Sequence, residues 1–234
     1  MNLRTWMNRI LCAIIALSLS STAWAGEEAA TESAPETDDQ VVLEIEFPTE
    51  LFTGTPKNLE SDNLEPRTAK REPVKAPKGT QLISAGKPVT ASSEPFVGDL
   101  EMVTDGDKAG TDGSFVEFDP GAQWVQVDLE TPREIWAVAV WHYHGEPRAY
   151  KDVVIQLADD DAFTSNVRTV FNNDHDDSSG LGVGEDMEYV DNNTGRVIAV
   201  NGETARYVRS YTNGNTSNSL NHIIELEVYG KSKE

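Results

Sequence analysis

From Gln81 onward the chain is written in short apolar runs. The segments PVTASS, QWVQVDL, EIWAVAVWHYH, DVVIQLA, VRTVFNN, GRVIAV, ARYVRSYT and HIIELEVYG are rich in Val, Ile, Trp and Tyr. Clusters of Gly, Asn, Asp and Pro separate them, as expected of strands joined by turns. No segment carries apolar residues at helical spacing over several turns. Eight candidate strands in about 150 residues predict an all-β domain, a sandwich or a barrel, large enough to close one core. Period two in IIELEVYG places Ile224, Leu226 and Val228 on one face and Glu225, Glu227 and Tyr229 on the other. In WHYHGEPRAYKD the same period pairs His142 with His144 and Trp141 with Tyr143. There is no internal repeat.

The texture before Gln81 is different. Residues 1–25 carry Arg4 and Arg9, then the apolar run ILCAIIALSLSS, then small residues at Ala23 and Ala25. This is the pattern of a secretory signal peptide cut after Ala25, with a run too short to span a bilayer. It predicts a secreted, periplasmic or cell-envelope protein. Cys12, the only cysteine, lies in this segment, so no disulfide braces the mature chain and packing or a metal must do so. Residues 26–79 read as an acidic, Pro-rich disordered segment and linker, draped on the domain or free of it. Only VVLEIEF, 41–47, looks like a lone strand. The folded domain is expected over 80–231.

Charge narrows the partners. The chain has 40 acidic and 19 basic residues, a formal charge of −21. Loss of Arg4 and Arg9 makes the mature protein more negative still. Such a surface is repelled by nucleic acid and by anionic lipid head groups, which argues against nucleic-acid partners and direct membrane insertion. It suits cations and neutral ligands such as glycans, or solubility alone.

The order of several pieces resembles the discoidin family, the coagulation factor V/VIII type C domain of the galactose-binding-like jelly rolls. These pieces are GKPVTASS, VTDGD, QWVQVDLE, REIWAVAVW, YKDVVIQLADDDAF, ARYVRSYTNGN and IELEVYG, over roughly 86–230. The resemblance implies an antiparallel jelly-roll β-sandwich of about eight core strands. It implies a binding module rather than an enzyme, recognising glycans in many bacterial members and lipids or proteins in some animal ones.

The loop DGDKAGTDGSF, 105–115, alternates aspartates with glycines. A hard cation takes six to eight oxygens, and Asp-Gly is equally an ordinary turn signal. The resemblance implies a structural Ca2+ held by the Asp105 and Asp107 carboxylates, the Met102 carbonyl, a hydroxyl from Thr111 or Ser114, and Glu225 with the Ile224 carbonyl beside it. The loop departs from the family pattern by one residue inserted before Thr111 and by Phe115 in place of tryptophan. A second acidic loop, DHDDSSGLGVGE from Asp174, has EF-hand-like spacing. It carries Ser179 where that loop needs glycine, and it reads as a binding loop.

Sugars are held by an aromatic under an apolar ring face and by paired donors and acceptors at its hydroxyls. In glycan-binding relatives the loop after the WHYH strand supplies basic side chains, which points to Arg148 with His142 or His144. Tyr143, Tyr150, Asn173, His175, Asn213 and His222 are further rim candidates by loop position. Each could equally be an ordinary packed or ion-paired residue. The histidine that fucose lectins carry after the calcium loop has no counterpart in FVEFD, 115–119, so the sugar is left open. His142 and His144 could chelate a transition metal, yet no glutamate follows at the spacing such sites use. No catalytic nucleophile motif is present. The expectation is a calcium-stabilised, non-catalytic module for glycans on a cell surface or matrix. The alternative is the same fold in adhesion or envelope assembly with other envelope proteins. A metal-dependent enzyme at His142 and His144 is the distant third.

Overall fold

The computed structural model describes residues 39–53, 59, 61–66 and 69–231. Residues 1–25, expected as a signal peptide, and the acidic stretch 26–38 lie outside them.

The chain folds as an all-β, antiparallel jelly-roll sandwich. Its strands are β1 (Gln40–Val42), β2 (Lys75–Pro77), β3 (Gln81–Leu82), β4 (Val89–Ala91), β5 (Val116–Phe118), β6 (Gln123–His142), β7 (Val154–Ala158), β8 (Arg168–Asn172), β9 (Arg196–Thr212) and β10 (Asn221–Lys231). A 3-10 turn spans Leu100–Thr104. Sheet order is β3-β10-β6-β9-β7-β8, with β4 on β6 and β5 on β10.

Two pairs of runs expected as separate strands are single bent ones. QWVQVDL and EIWAVAVWH join into β6, and GRVIAV and ARYVRSYT join into β9. The first half of β6 pairs with β4 and with residues 207–212, the second half with β10 and with residues 196–205. Both long strands therefore run through the two layers of the sandwich. The corner of β6 falls at the register shift between Asp128 and Arg133, where Glu130 takes φ 66 and its N–H donates to Asp128 Oδ1. The turn residues at these corners bend the ladder without ending it.

Val125, Val127, Leu129, Val138, Val140, Ile155, Leu157, Val208, Leu226 and Val228 fill the main core between the layers. Ala137, Ala139, Trp141, Ile224 and Tyr229 form a second cluster on the outer face of β6 and β10. Ile224 thus parts from Leu226 and Val228, against the simple alternation expected for this strand. The reason is a bulge between Ile223 and Glu225, which shifts the register by one and reverses the faces beyond it.

Of the stretch expected as disordered segment and linker, the described part follows the sandwich surface. β1 pairs with β2 rather than with the main sheet. Beyond it Leu43 and Ile45, with Val74 and Leu82, pack on the outer cluster around Trp141. Polar ties hold the rest: Leu43 N donates to Val74 O, Asn193 Nδ2 to Pro48 O, and Arg71 Nη1 to Gly195 O at 2.7 Å.

Candidate functional site

At one end of the sandwich, strand pairing lines up a polar row. Val97 faces Glu117, and Glu117 faces His222. The ring of Tyr143 follows, its centroid 6.0 Å from that of His222. The Arg148 guanidinium lies over the Tyr143 ring at 4.7 Å, and Phe115 packs edge-on against both Tyr143 and His222. Arg148 is buried, and its Nη2 reaches the exposed Glu146 at 2.9 Å. Its Nε has no hydrogen-bond partner among the described residues. An aromatic face, a fixed cation and two carboxylates thus converge beside the exposed Phe96 and Val97.

Beneath this rim lies a relay of buried rings. His222 Nε2 lies 2.8 Å from Glu117 Oε2, and its Nδ1 lies 2.8 Å from the Tyr150 hydroxyl. Burial, then the charges of Arg148 and His142, push the His222 imidazole down to about 4. At neutral pH it is therefore uncharged, donating from Nε2 to the carboxylate and accepting from Tyr150. The contact is a hydrogen bond rather than an ion pair. Glu117 is raised, chiefly by burial and against the pull of Arg148. Tyr150 stacks on His142 at 4.4 Å, and His142 Nδ1 meets Asp191 Oδ1 at 2.9 Å with both side chains buried.

Loop 105–115 lies beside this end. Gly106 N donates to Glu225 Oε2 at 3.2 Å, so the two halves expected of the cation site do meet. Glu225 is fully buried and its Oε1 has no partner among the described residues. Burial pushes its carboxyl up to about 8. Glu227 and Asp105 add to the rise, while the Gly106 amide and Lys108 oppose it. An orphaned buried carboxylate oxygen facing an Asp-rich loop fits a hard cation, which would supply the missing counter-charge. The aspartates also shape the loop. Asp105 Oδ1 accepts from Asp107 N and Asp107 Oδ1 from Ala109 N. Thr111 and Ser114 pair their hydroxyls at 2.8 Å. Met102 lies within the 3-10 turn that leads into the loop, and Ile224 lies in the outer cluster.

A third group forms around Asp152. Its carboxylate accepts from Ser178 Oγ and from Asn213 Nδ2, and ligand oxygens of Asp152, Asp174 and Asp176 lie within 4.8 Å of one another. Asp152 is raised chiefly by burial. Asn173 Oδ1 accepts from Val153 N close by.

The structure therefore sorts the expected ligand residues. His142, Tyr143, Arg148, Tyr150 and His222 share one connected cluster, although Tyr150 and His142 are too buried to form its rim. Asn173 and Asn213 belong to the Asp152 group, and His175 follows Asp174 in that loop. His142 and His144 do not form a chelating pair: His142 turns to Asp191, whereas His144 lies past the end of β6 and its Nε2 bonds Lys108 O at 3.0 Å. Sequence reasoning missed Glu117, Asp191, Asp112 and Lys108, because each gains its role only from a contact distant in the chain. Two open grooves of about 710 and 690 Å³ border residues 41–47, the first of them reaching Lys108 and Glu227.

No family model matches this chain, and no curated protein matches it. Solved structures similar to it include the CBM32 of AlyQ in complex with 4,5-unsaturated mannuronic acid, at 27% identity and a TM-score of 0.44, covering 60% of this chain and 92% of that one. A Streptococcus pneumoniae fucose binding module, SpX-3, is 16% identical with a TM-score of 0.47, covering 65% and 99%. Chitosan-binding module 1 from the chitosanase/glucanase of Paenibacillus sp. IK-5 is 22% identical with a TM-score of 0.41, covering 64% and 99%.

Proposed function

We propose that this chain is a non-catalytic, calcium-stabilised carbohydrate-binding module, exported by residues 1–25, whose ligand sits over Tyr143 and Arg148. The observation that carries the reading is the Arg148 guanidinium held over the Tyr143 ring, with Glu117 and Glu146 beside it. A sugar presents an apolar ring face and a fan of hydroxyls, and this group offers an aromatic wall, a fixed multi-donor cation and carboxylate acceptors. Arg148 is already stacked and buried, so little side-chain entropy is lost when a ligand binds. Carboxylates outnumber cations on this rim, which favours neutral or cationic sugars over acidic ones.

Glycan-array binding by the full chain tests the reading, with Arg148→Ala as the control. Saturable binding to a sugar class that Arg148→Ala abolishes supports it. No binding above background, or binding indifferent to Arg148, sinks it.

A second reading rests on a different observation. Val41 and Val42 of β1, with Phe47 and Leu51 on the strap after it, are all exposed, and the first three line the two grooves. Such a concentration of apolar side chains suits protein–protein adhesion or envelope assembly through 41–79. Cross-linking from cysteines placed at Val42 and Leu51 would separate the readings, since a glycan module working alone gives no partner adduct.

A further inference from the structure

The loop that reaches Glu225 also holds the residues of the sugar site, and it does so at several points. Near its start, Gly106 N bonds Glu225, while Lys108 Nζ pairs with Glu227 Oε1 at 2.9 Å and lies over the Trp141 ring. In its middle, Lys108 O accepts from His144 Nε2, and Gly110 lies so close that a Cβ there would overlap the His144 ring. Further on, Asp112 Oδ1 accepts from the Tyr143 hydroxyl at 3.0 Å. At its end, Phe115 packs against Tyr143 and His222.

We propose that loop 105–115 couples cation binding at Asp105 and Glu225 to the sugar-binding site, with Asp112 and Gly110 as the positioning residues that transmit it. The inference rests on the sugar site lying at Tyr143 and Arg148. Asp105, Asp107, Asp112 and Gly113 are exposed, and the Gly106 amide, with Lys108 beside it, ties the start of the loop to β10. A cation bridging that tie immobilises the loop. The loop then presents one fixed acceptor to the Tyr143 hydroxyl and one fixed bed to His144. With Tyr143 held, Arg148 keeps its stacking surface. Without the cation the Glu225 carboxylate keeps an oxygen unpaired, and the loop gains freedom that passes to Tyr143. Coupling of this kind is reciprocal: whatever orders Tyr143 also tightens the cation.

The test is amide hydrogen exchange on the full chain, read by mass spectrometry with calcium and with a calcium chelator. Calcium is expected to slow exchange in 105–115, and also in 143–149, by about fivefold or more, the low end of ordinary allosteric coupling. In Asp112→Ala the slowing in 105–115 should persist, together with the calcium-induced rise in melting temperature, which shows that the variant folds and binds the ion. The response in 143–149 should be lost. Gly110→Ser, which pushes the loop off His144, should weaken calcium binding. Calcium protection confined to 105–115 and β10 overturns the inference. So does an unchanged response of 143–149 in Asp112→Ala, or no response to calcium anywhere. A negative glycan array with the exchange coupling intact would instead remove the sugar reading and leave the mechanical coupling standing.

Discussion

The amide of Gly106 donates to Oε2 of Glu225 across 3.2 Å, joining residues 119 positions apart and closing the first long loop onto the last strand. The other oxygen of the same carboxylate is buried without a partner among the described residues. A cation bound there is expected to raise the melting temperature, and a chelator to return it. One hundredfold excess over the dissociation constant contributes about 2.7 kcal/mol. Glu225→Gln should abolish the calcium shift; a shift that survives in this variant would place the ion elsewhere, with the Asp152 group the next place to look.

Without calcium the same carboxylate makes stability depend on pH. Its folded pKa, about 8, lies above the ordinary carboxylate value, so the proton is bound more tightly in the folded state. Stability is fullest below pH ~4.5 and falls as pH rises through ~8, by an amount on the order of 5 kcal/mol at most. Urea melts of the chelated protein should show this slope, and Glu225→Gln should flatten it. Calcium competes with that proton, so its affinity should climb over the same range.

His222 works in the opposite sense. Its folded pKa, about 4, lies below the ordinary imidazole value, so its contribution is intact above pH ~6.5 and is lost as pH falls towards ~4. Between about pH 4.5 and 6.5 the two slopes oppose each other, so each is best read in a single variant. In Glu225→Gln the acid-side loss should stand out. In the double variant Glu225→Gln, His222→Gln it should disappear.

Tyr143 and Arg148 divide their labour. Arg148→Ala should weaken glycan binding by tenfold or more, since charged hydrogen bonds contribute roughly 1.5–3 kcal/mol each. Tyr143→Phe keeps the ring and loses only the bond to Asp112, so it should bind sugar better than Tyr143→Ala. Titration calorimetry with the array's best sugar distinguishes them. Equal losses in the two tyrosine variants would show that the ring face is not used.

Gly195 lies where the chain passes under the outer cluster. Its φ is +58, and a Cβ would lie 2.7 Å from both Trp141 Cε2 and Val140 O. Gly195→Ala should therefore cost about 2–4 kcal/mol, from left-handed backbone strain and overpacking together. Chemical denaturation reads it directly. A loss under 1 kcal/mol would mean that Trp141 can move, and that the strap packed on it is loosely held.

The apolar runs of this chain determine the fold class by themselves. Val and Ile at period two between Gly- and Asn-rich turns can bury one face only as sheet, so an all-β domain was legible from Gln81 onward. The family resemblance set Asp105 and Asp107 beside Glu225 as an expectation, and the fold brings their loop to Glu225 through the Gly106 amide. Tertiary structure alone decided the rest. Alternation along IIELEVYG cannot reveal a bulge, since the extra residue is defined by the partner strand β6, so the true face of Ile224 stayed hidden. Nor could local pattern show that the turn-like residues at Glu130 and Asn201 bend long strands rather than end them. Glu117, Asp112 and Asp191 look like three of many carboxylates in an acidic chain. What sets them apart is a neighbour distant in sequence: His222, Tyr143 and His142 respectively. Periodicity is a property of one segment and can be read there. A binding site is made by several segments meeting, and only the packing of the whole chain fixes which side chains meet.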